Sequence, residues 1–371
     1  MALRHKEPDC IPFDLGSTGI TGIHKLAYQN LLFYLGIKKA EIQIFDTITQ
    51  LAMVDRKLLQ RLEVTTRGVH PLNPSNWSLE IQEGDRYKYF RDEYGVEWSM
   101  PKEGGLYYDM TENPLKSATI EDIEGYSWPN PRDPARVAGL KEEIEKLSDW
   151  AIVLTGPGEG LFERSLWMRG FERFYIDLIR DPPLANSLLD KLTDFRIKFW
   201  ELLLDEIGDL IHVVVEADDL ATQNSLMISP EIYRRYLKPR HKRVFSFIKE
   251  KAPHVYIFLH SCGAIYDLIP DLIEVGVDIL NPVQVSAAKM DTKKLKKEFG
   301  DVLTFWGGGI DTQEVLPKGT PDEVKEEVKR RIDDLAPGGG FIFAAVHNIQ
   351  ADVPPENIIA MWEALQESGN Y

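Results

Sequence analysis

Cysteine is nearly absent from this chain, with only Cys10 and Cys262 among 371 residues. A disulfide framework is thereby excluded, and any role left to Cys262 is that of a free thiol or a ligand. Cys10, between Pro8 and Pro12, has no His or acidic neighbour at ligand spacing and reads as core filler or a surface thiol. Positive charge is also short. Lys and Arg number 43 against 59 Asp and Glu, a formal net charge of −16, which argues against nucleic acid or an anionic membrane as partner, since both are polyanions. Neutral or cationic ligands suit the chain better. No apolar run is long enough to cross a bilayer, and the opening residues 1–9 lack the apolar stretch of a secretory signal, so a cytoplasmic protein is expected. Internal repeats and low-complexity tracts are missing too, and no glycine-rich dinucleotide fingerprint follows the first apolar run.

What is present is a regular alternation of short apolar runs and amphipathic helices. Apolar runs at 212–217, 255–260, 277–281, 302–306 and 341–347 are each followed by a helical segment, and a sixth run covers 150–155. Helix starts are marked at Ser229-Pro230-Glu231 and Thr320-Pro321-Asp322-Glu323, where a hydroxyl cap precedes a first-turn proline and acidic residues that suit the helix dipole. A helix over 134–148 and long helices between 160 and 207 flank the sixth run. Residues 11–16, with a weaker candidate over 62–69, bring the count of strands to eight. Repeated strand-helix units give a parallel sheet, and eight of them predict a closed (β/α)8 TIM barrel over 1–371 as one domain. An open doubly wound sheet is the alternative. Residues 77–128 break the rhythm: alternating aromatics over 87–98, turning at Asp92 to Gly95, predict an inserted β-hairpin region, either ornament or lid.

In a barrel, function sits on the loops after the strands, and here those ends carry Asp14, Thr155, Glu216, Asp218, His260, Cys262, Asn281, Asp311 and His347. The sharpest group is His260-Ser261-Cys262, where side chains two apart share a face, joined by His347 at the end of the last run. His, Cys and His are all ligand types that zinc accepts. The bland alternative for the thiol is a small buried hydrophobe. Gly307-Gly308-Gly309 reads as a tight turn, since no Lys-Ser/Thr follows it to hold a phosphate.

Several segments resemble one known family. His260-Ser261-Cys262-Gly263, Glu216-Ala217-Asp218-Asp219-Leu220 with Ile228-Ser229-Pro230-Glu231-Ile232-Tyr233, and Pro354-Pro355-Glu356-Asn357-Ile358 look like the uroporphyrinogen decarboxylase superfamily, most like its corrinoid-dependent methyltransferases. Glu7-Pro8-Asp9-Cys10-Ile11-Pro12 and Asp92-Glu93-Tyr94-Gly95-Val96 fit the same branch. The resemblance implies the same barrel, a zinc ion held by a His-x-Cys pair, here His260 and Cys262, and a later Cys whose place His347 takes. Imidazole in place of a thiolate leaves more positive charge on the metal, which favours Lewis-acid work on oxygen. The expectation is methyl transfer from a methyl-ether donor to the cobalt of a corrinoid carried by a partner protein. Glu216 is then the expected fourth ligand or proton manager, Asp218 the acid that orients a ligand histidine, and Thr155 and Asn281 part of the donor pocket. For each acid the alternative is a loop carboxylate or a helix cap. Transfer from a methylcobamide to a thiol or pterin is the second reading. Porphyrinogen decarboxylation is disfavoured, because 16–22, the place where an arginine-containing stretch is expected, holds no cation. Structural zinc is disfavoured because only one cysteine is at hand.

Overall fold

The computed structural model describes residues 1–38 and 41–371. Seven parallel strands form one curled sheet in the order Phe341–Ile342, Thr304–Trp306, Ile279–Asn281, Tyr256–His260, Val213–Ala217, Ala151–Thr155 and Thr66–Val69. Helices connect successive strands and cover the outside, the TIM-like arrangement that repeated strand-helix units dictate. The register pairs His260 with both Ala217 and Asn281, so three strand ends finish at one level.

Between the two edge strands runs the segment Pro12 to Asp14. Phe343 donates its N–H to Pro12 O at 2.8 Å and Asp14 donates to Phe343 O at 2.9 Å, while Thr65 donates to Phe13 O at 2.9 Å. Asp14 reinforces this join: its carboxylate accepts from Thr66 Oγ1 at 2.7 Å and from Trp306 Nε1 at 3.0 Å. The expected first strand over 11–16 is thus only a single isolated bridge, Phe13 to Phe343, ended by Gly16 at φ +78°.

Other boundaries also shift. The last strand stops at Ile342 rather than 347, because its neighbour turns out of extended conformation at Gly307 and Gly308, φ +85° and +81°, and the ladder cannot continue. The 62–69 candidate reduces to Thr66–Val69, since Leu62 closes the preceding helix Arg56–Arg61. Gly139 at φ +74° splits the 134–148 helix into Pro134–Val137 and Leu140–Glu145.

Packing is layered. Val153, Val213, Val215, Phe258, Ile279, Trp306 and Ile342 fill the sheet interior, with Phe258 and Trp306 edge-to-face at 5.3 Å. Each such side chain contributes roughly 1.5–3 kcal/mol on burial, and together they make a floor rather than a pore. Outside, the 26-residue helix Pro182–Ile207 starts at its Asp181 cap and buries Leu188, Leu192, Phe199, Trp200 and Leu203 at helical spacing.

A separate four-stranded antiparallel sheet comprises Gln82–Glu83, Tyr87–Arg91, Glu97–Pro101 and Asp109–Glu112. It rests on the helix Leu161–Arg169 through the Trp98 and Trp167 rings, 4.7 Å apart. Arg164, between the Tyr94 and Trp167 rings, donates to Asp92 Oδ2 at 3.1 Å.

Candidate metal centre

His260 ends its strand and Cys262 follows one residue past the edge, held there by three contacts. Ser261 donates its N–H to Asn281 O at 2.8 Å, Cys262 N–H to Asp219 Oδ1 at 2.8 Å and Gly263 N–H to Gln284 Oε1 at 2.7 Å. Gly263 is required at this turn. Its φ is +89°, and a Cβ there would lie 2.4 Å from Thr222 O. His347 comes from the far end of the chain, and its ring centroid lies 5.4 Å from that of His260. The ligand-type atoms of His260, Cys262 and His347 all lie within 4.8 Å of one another.

The His260 ring is oriented by Asn281. Asn281 Nδ2 donates to Trp306 O at 2.8 Å, so its Oδ1 faces Nδ1 of His260, 2.6 Å away, and accepts that proton. Nε2 then carries the lone pair and accepts from the Cys262 thiol, 3.4 Å away. Burial, helped by the neighbouring His260, lowers the His347 pKa to about 3, keeping that ring neutral. Burial also pushes the Cys262 thiol up, with Asp219 and Glu163 adding to the effect. Two imidazoles and a thiol make a donor set that fits a divalent metal. Asp219 supplies an oxygen beside it, with Oδ1 3.8 Å from His260 Nε2.

A cavity of about 350 Å³ opens over this cluster, with His260, His347 and Asp219 in its wall. Thr155 lines it as well and bonds through Oγ1 to His70 Nδ1 at 3.0 Å; burial lowers the His70 pKa to about 4. Glu163, also in the wall, is raised well above the usual carboxylate range, first by burial and then by Asp219, Glu159 and Asp218.

The Glu216 and Asp218 side chains stand away from the cluster, and Asn281 and Asp311 are placed otherwise than expected. Glu216 points out of the sheet into the helix layer, where Oε2 accepts from Arg196 Nε at 2.8 Å and Oε1 from Trp200 Nε1 at 2.5 Å. Its oxygens are committed, so it is not the fourth ligand. Asp218 faces the same way. Its carboxylate accepts from the N–H groups of Phe162 at 3.0 Å and Glu163 at 2.9 Å and lies 3.0 Å from His241 Nε2, capping a helix start that Gly160 brings close, and only its backbone N–H meets the cluster, donating to His260 O at 2.8 Å. Asn281 is fully buried behind His260 and holds the ligand instead of lining the pocket. Asp311 accepts from Gln313 N–H at 2.8 Å, a turn contact. Asp219, Glu163, Glu159 and Asp46 were missed. Asp219 was legible in principle as the position two beyond Ala217, but Val213, Val214 and Val215 are all apolar and give no phase for which face is inward.

Comparison with known proteins agrees with this architecture. The family model described as uroporphyrinogen decarboxylase (URO-D) matches residues 92–368. A methylated-thiol–coenzyme M methyltransferase of Methanosarcina mazei is 25% identical over 69% of this chain and 65% of its own length. A methylcobamide:CoM methyltransferase of Methanosarcina acetivorans is 24% identical over 60% of this chain and 62% of its own, so these matches span a little under two thirds of both relatives. A uroporphyrinogen decarboxylase of Citrifermentans bemidjiense is 24% identical over 70% of this chain and 75% of its own. A solved methyltransferase from Methanosarcina mazei superposes with a TM-score of 0.62 over 99% of this chain and 96% of that one, at 20% identity, a likeness of fold.

Proposed function

Because the chain belongs to the uroporphyrinogen decarboxylase (URO-D) family, we propose that it is a methyltransferase that moves a methyl group from a methyl-ether donor to the cobalt of a corrinoid carried by a partner protein. One observation carries the reading: His260, Cys262 and His347 converge within 4.8 Å under a cavity at the strand ends. In this reading the three residues hold zinc, and Asp219 stands as the fourth, oxygen, donor. Zinc held there supplies Lewis-acid stabilisation for the negative charge that the donor's oxygen acquires. The O–CH3 bond would break with its electron pair left on that oxygen, and cobalt(I) of the partner's corrinoid would supply the pair for the new bond to the methyl carbon. Asn281 keeps His260 turned toward the cluster, and Thr155 lines the space the donor takes.

The closed (β/α)8 barrel over 1–371, with 77–128 as its insertion, belongs to the same reading; the bonds of Pro12 to Asp14 to both sheet edges support it. So does action in the cytoplasm. Among the described residues no helix is long and apolar enough to cross a membrane.

A second reading, transfer between a methylcobamide and a thiol, draws support from the names of the Methanosarcina relatives. His347 in place of a thiolate weighs against it, as does a cavity wall that holds no lysine or arginine among the described residues, given that coenzyme M carries a sulfonate.

The test is a panel of methoxylated aromatics, methylated amines and methylated thiols incubated with zinc-loaded enzyme and reduced corrinoid protein. Methyl-cobalt is expected only with methoxylated donors. Its formation only from methylated thiols would hand the case to the second reading, and consumption of porphyrinogen alone would overturn both. A second outcome is expected of Asn281→Ala. Loss of the carboxamide that orients His260 should weaken zinc affinity by about 10–100-fold, read by competition with a chelator on protein whose circular dichroism is unchanged. Unaltered affinity would remove Asn281 from the site.

A further inference from the structure

The cavity is unusually poor in positive charge for its content of acids. Asp46, Glu159, Glu163 and Asp219 all lie in its wall, and among the described residues no lysine or arginine does. Two guanidinium groups bond wall residues from behind, and both are already shared: Arg164 donates to Asp92 Oδ2 at 3.1 Å and to Glu159, and Arg196 donates to Glu159 O at 2.6 Å and to Glu216 Oε2 at 2.8 Å. Asp46 is fixed at the wall by Thr49, whose N–H and Oγ1 donate to Oδ1 at 2.7 and 2.6 Å. An anionic donor entering here meets acids that either repel it or must take up protons to admit it. Zinc contributes two positive charges, but the Cys262 thiolate and Asp219 offset them locally.

Resting on the proposed reading of the site, we infer that the enzyme selects its donor by charge: it takes uncharged or cationic methoxylated aromatics and rejects those bearing a carboxylate. Asp46 and Glu159 line the cavity without belonging to the His260, Cys262 and His347 cluster, so the discrimination acts on binding rather than on the transfer step. A single unit charge about 8 Å away, at an effective dielectric of about 25, already gives about tenfold.

Three probes of one shape isolate the effect: 4-methoxybenzoate, 4-methoxybenzamide and 4-methoxybenzamidine carry charges of −1, 0 and +1 on the same skeleton. Calorimetry on the zinc-loaded enzyme without corrinoid protein reads binding apart from turnover. The amide and the amidine are expected to bind at least about tenfold tighter than the benzoate. Asp46→Lys, a change of two charge units, is expected to raise benzoate affinity about a hundredfold and to leave the amide within about twofold. Equal or tighter benzoate binding by the wild type overturns the inference, as does benzoate binding that stays weak in Asp46→Lys, which makes the exclusion steric. If the amide binds but yields no methyl-cobalt with reduced corrinoid protein, the proposed reaction fails while the charge rule stands. Binding of none of the three overturns both.

Discussion

His347→Ala and Cys262→Ala are each expected to purify without stoichiometric metal and to lose methyl transfer by well over a hundredfold. The magnitude follows from comparison with an outer partner, whose loss costs about 10–100-fold in affinity or activity; removal of a direct ligand from a cluster within 4.8 Å must cost more. Both side chains are at least partly buried and neither pairs with an acid, so the fold should survive, and circular dichroism and thermal melting check that. Metal analysis of the purified variants is the primary readout. A variant that keeps one metal per chain and full activity removes that residue from the centre. His347→Cys sharpens the argument. It restores a thiolate at the position, so metal should be retained while the preference for oxygen donors over thiols falls. An unchanged donor preference in that variant would mean that the imidazole does not tune the chemistry.

Arg196→Met should destabilise the fold by about 3–5 kcal/mol, because it leaves the Glu216 carboxylate buried without its partner. Both side chains are about 4% exposed and meet at 2.8 Å. Arg196 also donates to Glu159 O at 2.6 Å and Gly158 O at 3.1 Å, tying the loop after the Ala151–Thr155 strand to the helix layer. The double variant Arg196→Met/Glu216→Leu should recover much of the loss, since apolar groups of similar volume remove the uncompensated charge. Urea denaturation reads both effects. Glu216→Gln, which keeps the acceptor for Trp200, should retain bound metal per folded protein. A stable Glu216→Gln that cannot hold metal would return Glu216 to the centre and contradict its outward placement.

Much of the architecture was legible because strand-helix alternation is a local pattern. The apolar runs ending at Thr155, Ala217, His260, Asn281 and Trp306 all became strands of one parallel sheet, and the Thr320 cap begins its helix as expected, with a full capping box. Legibility failed where glycines in left-handed conformation ended elements early, at Gly16, Gly139 and Gly307, since a glycine permits such a turn without requiring it. Among the site residues, the His-x-Cys spacing carried its own geometry. His347 could be paired with it through the rule that all strand ends of a parallel barrel face one pole, and through the family resemblance that sets it where a later Cys is expected.

The acids were different. Glu216, Asp218 and Asp219 are consecutive or nearly so, and each is a reasonable ligand by type. Only the tertiary structure decided among them, because a strand buried on both faces is apolar throughout and does not announce which alternate positions look inward. The helix layer settles it by placing Arg196 and Trp200 opposite Glu216 and a helix start opposite Asp218, which leaves Asp219 beside Cys262. Local order along the chain thus determined the repeating units and the residue types at their ends. Which carboxylate faces the cavity, and which is absorbed by packing, depended on partners more than 15 residues away in sequence.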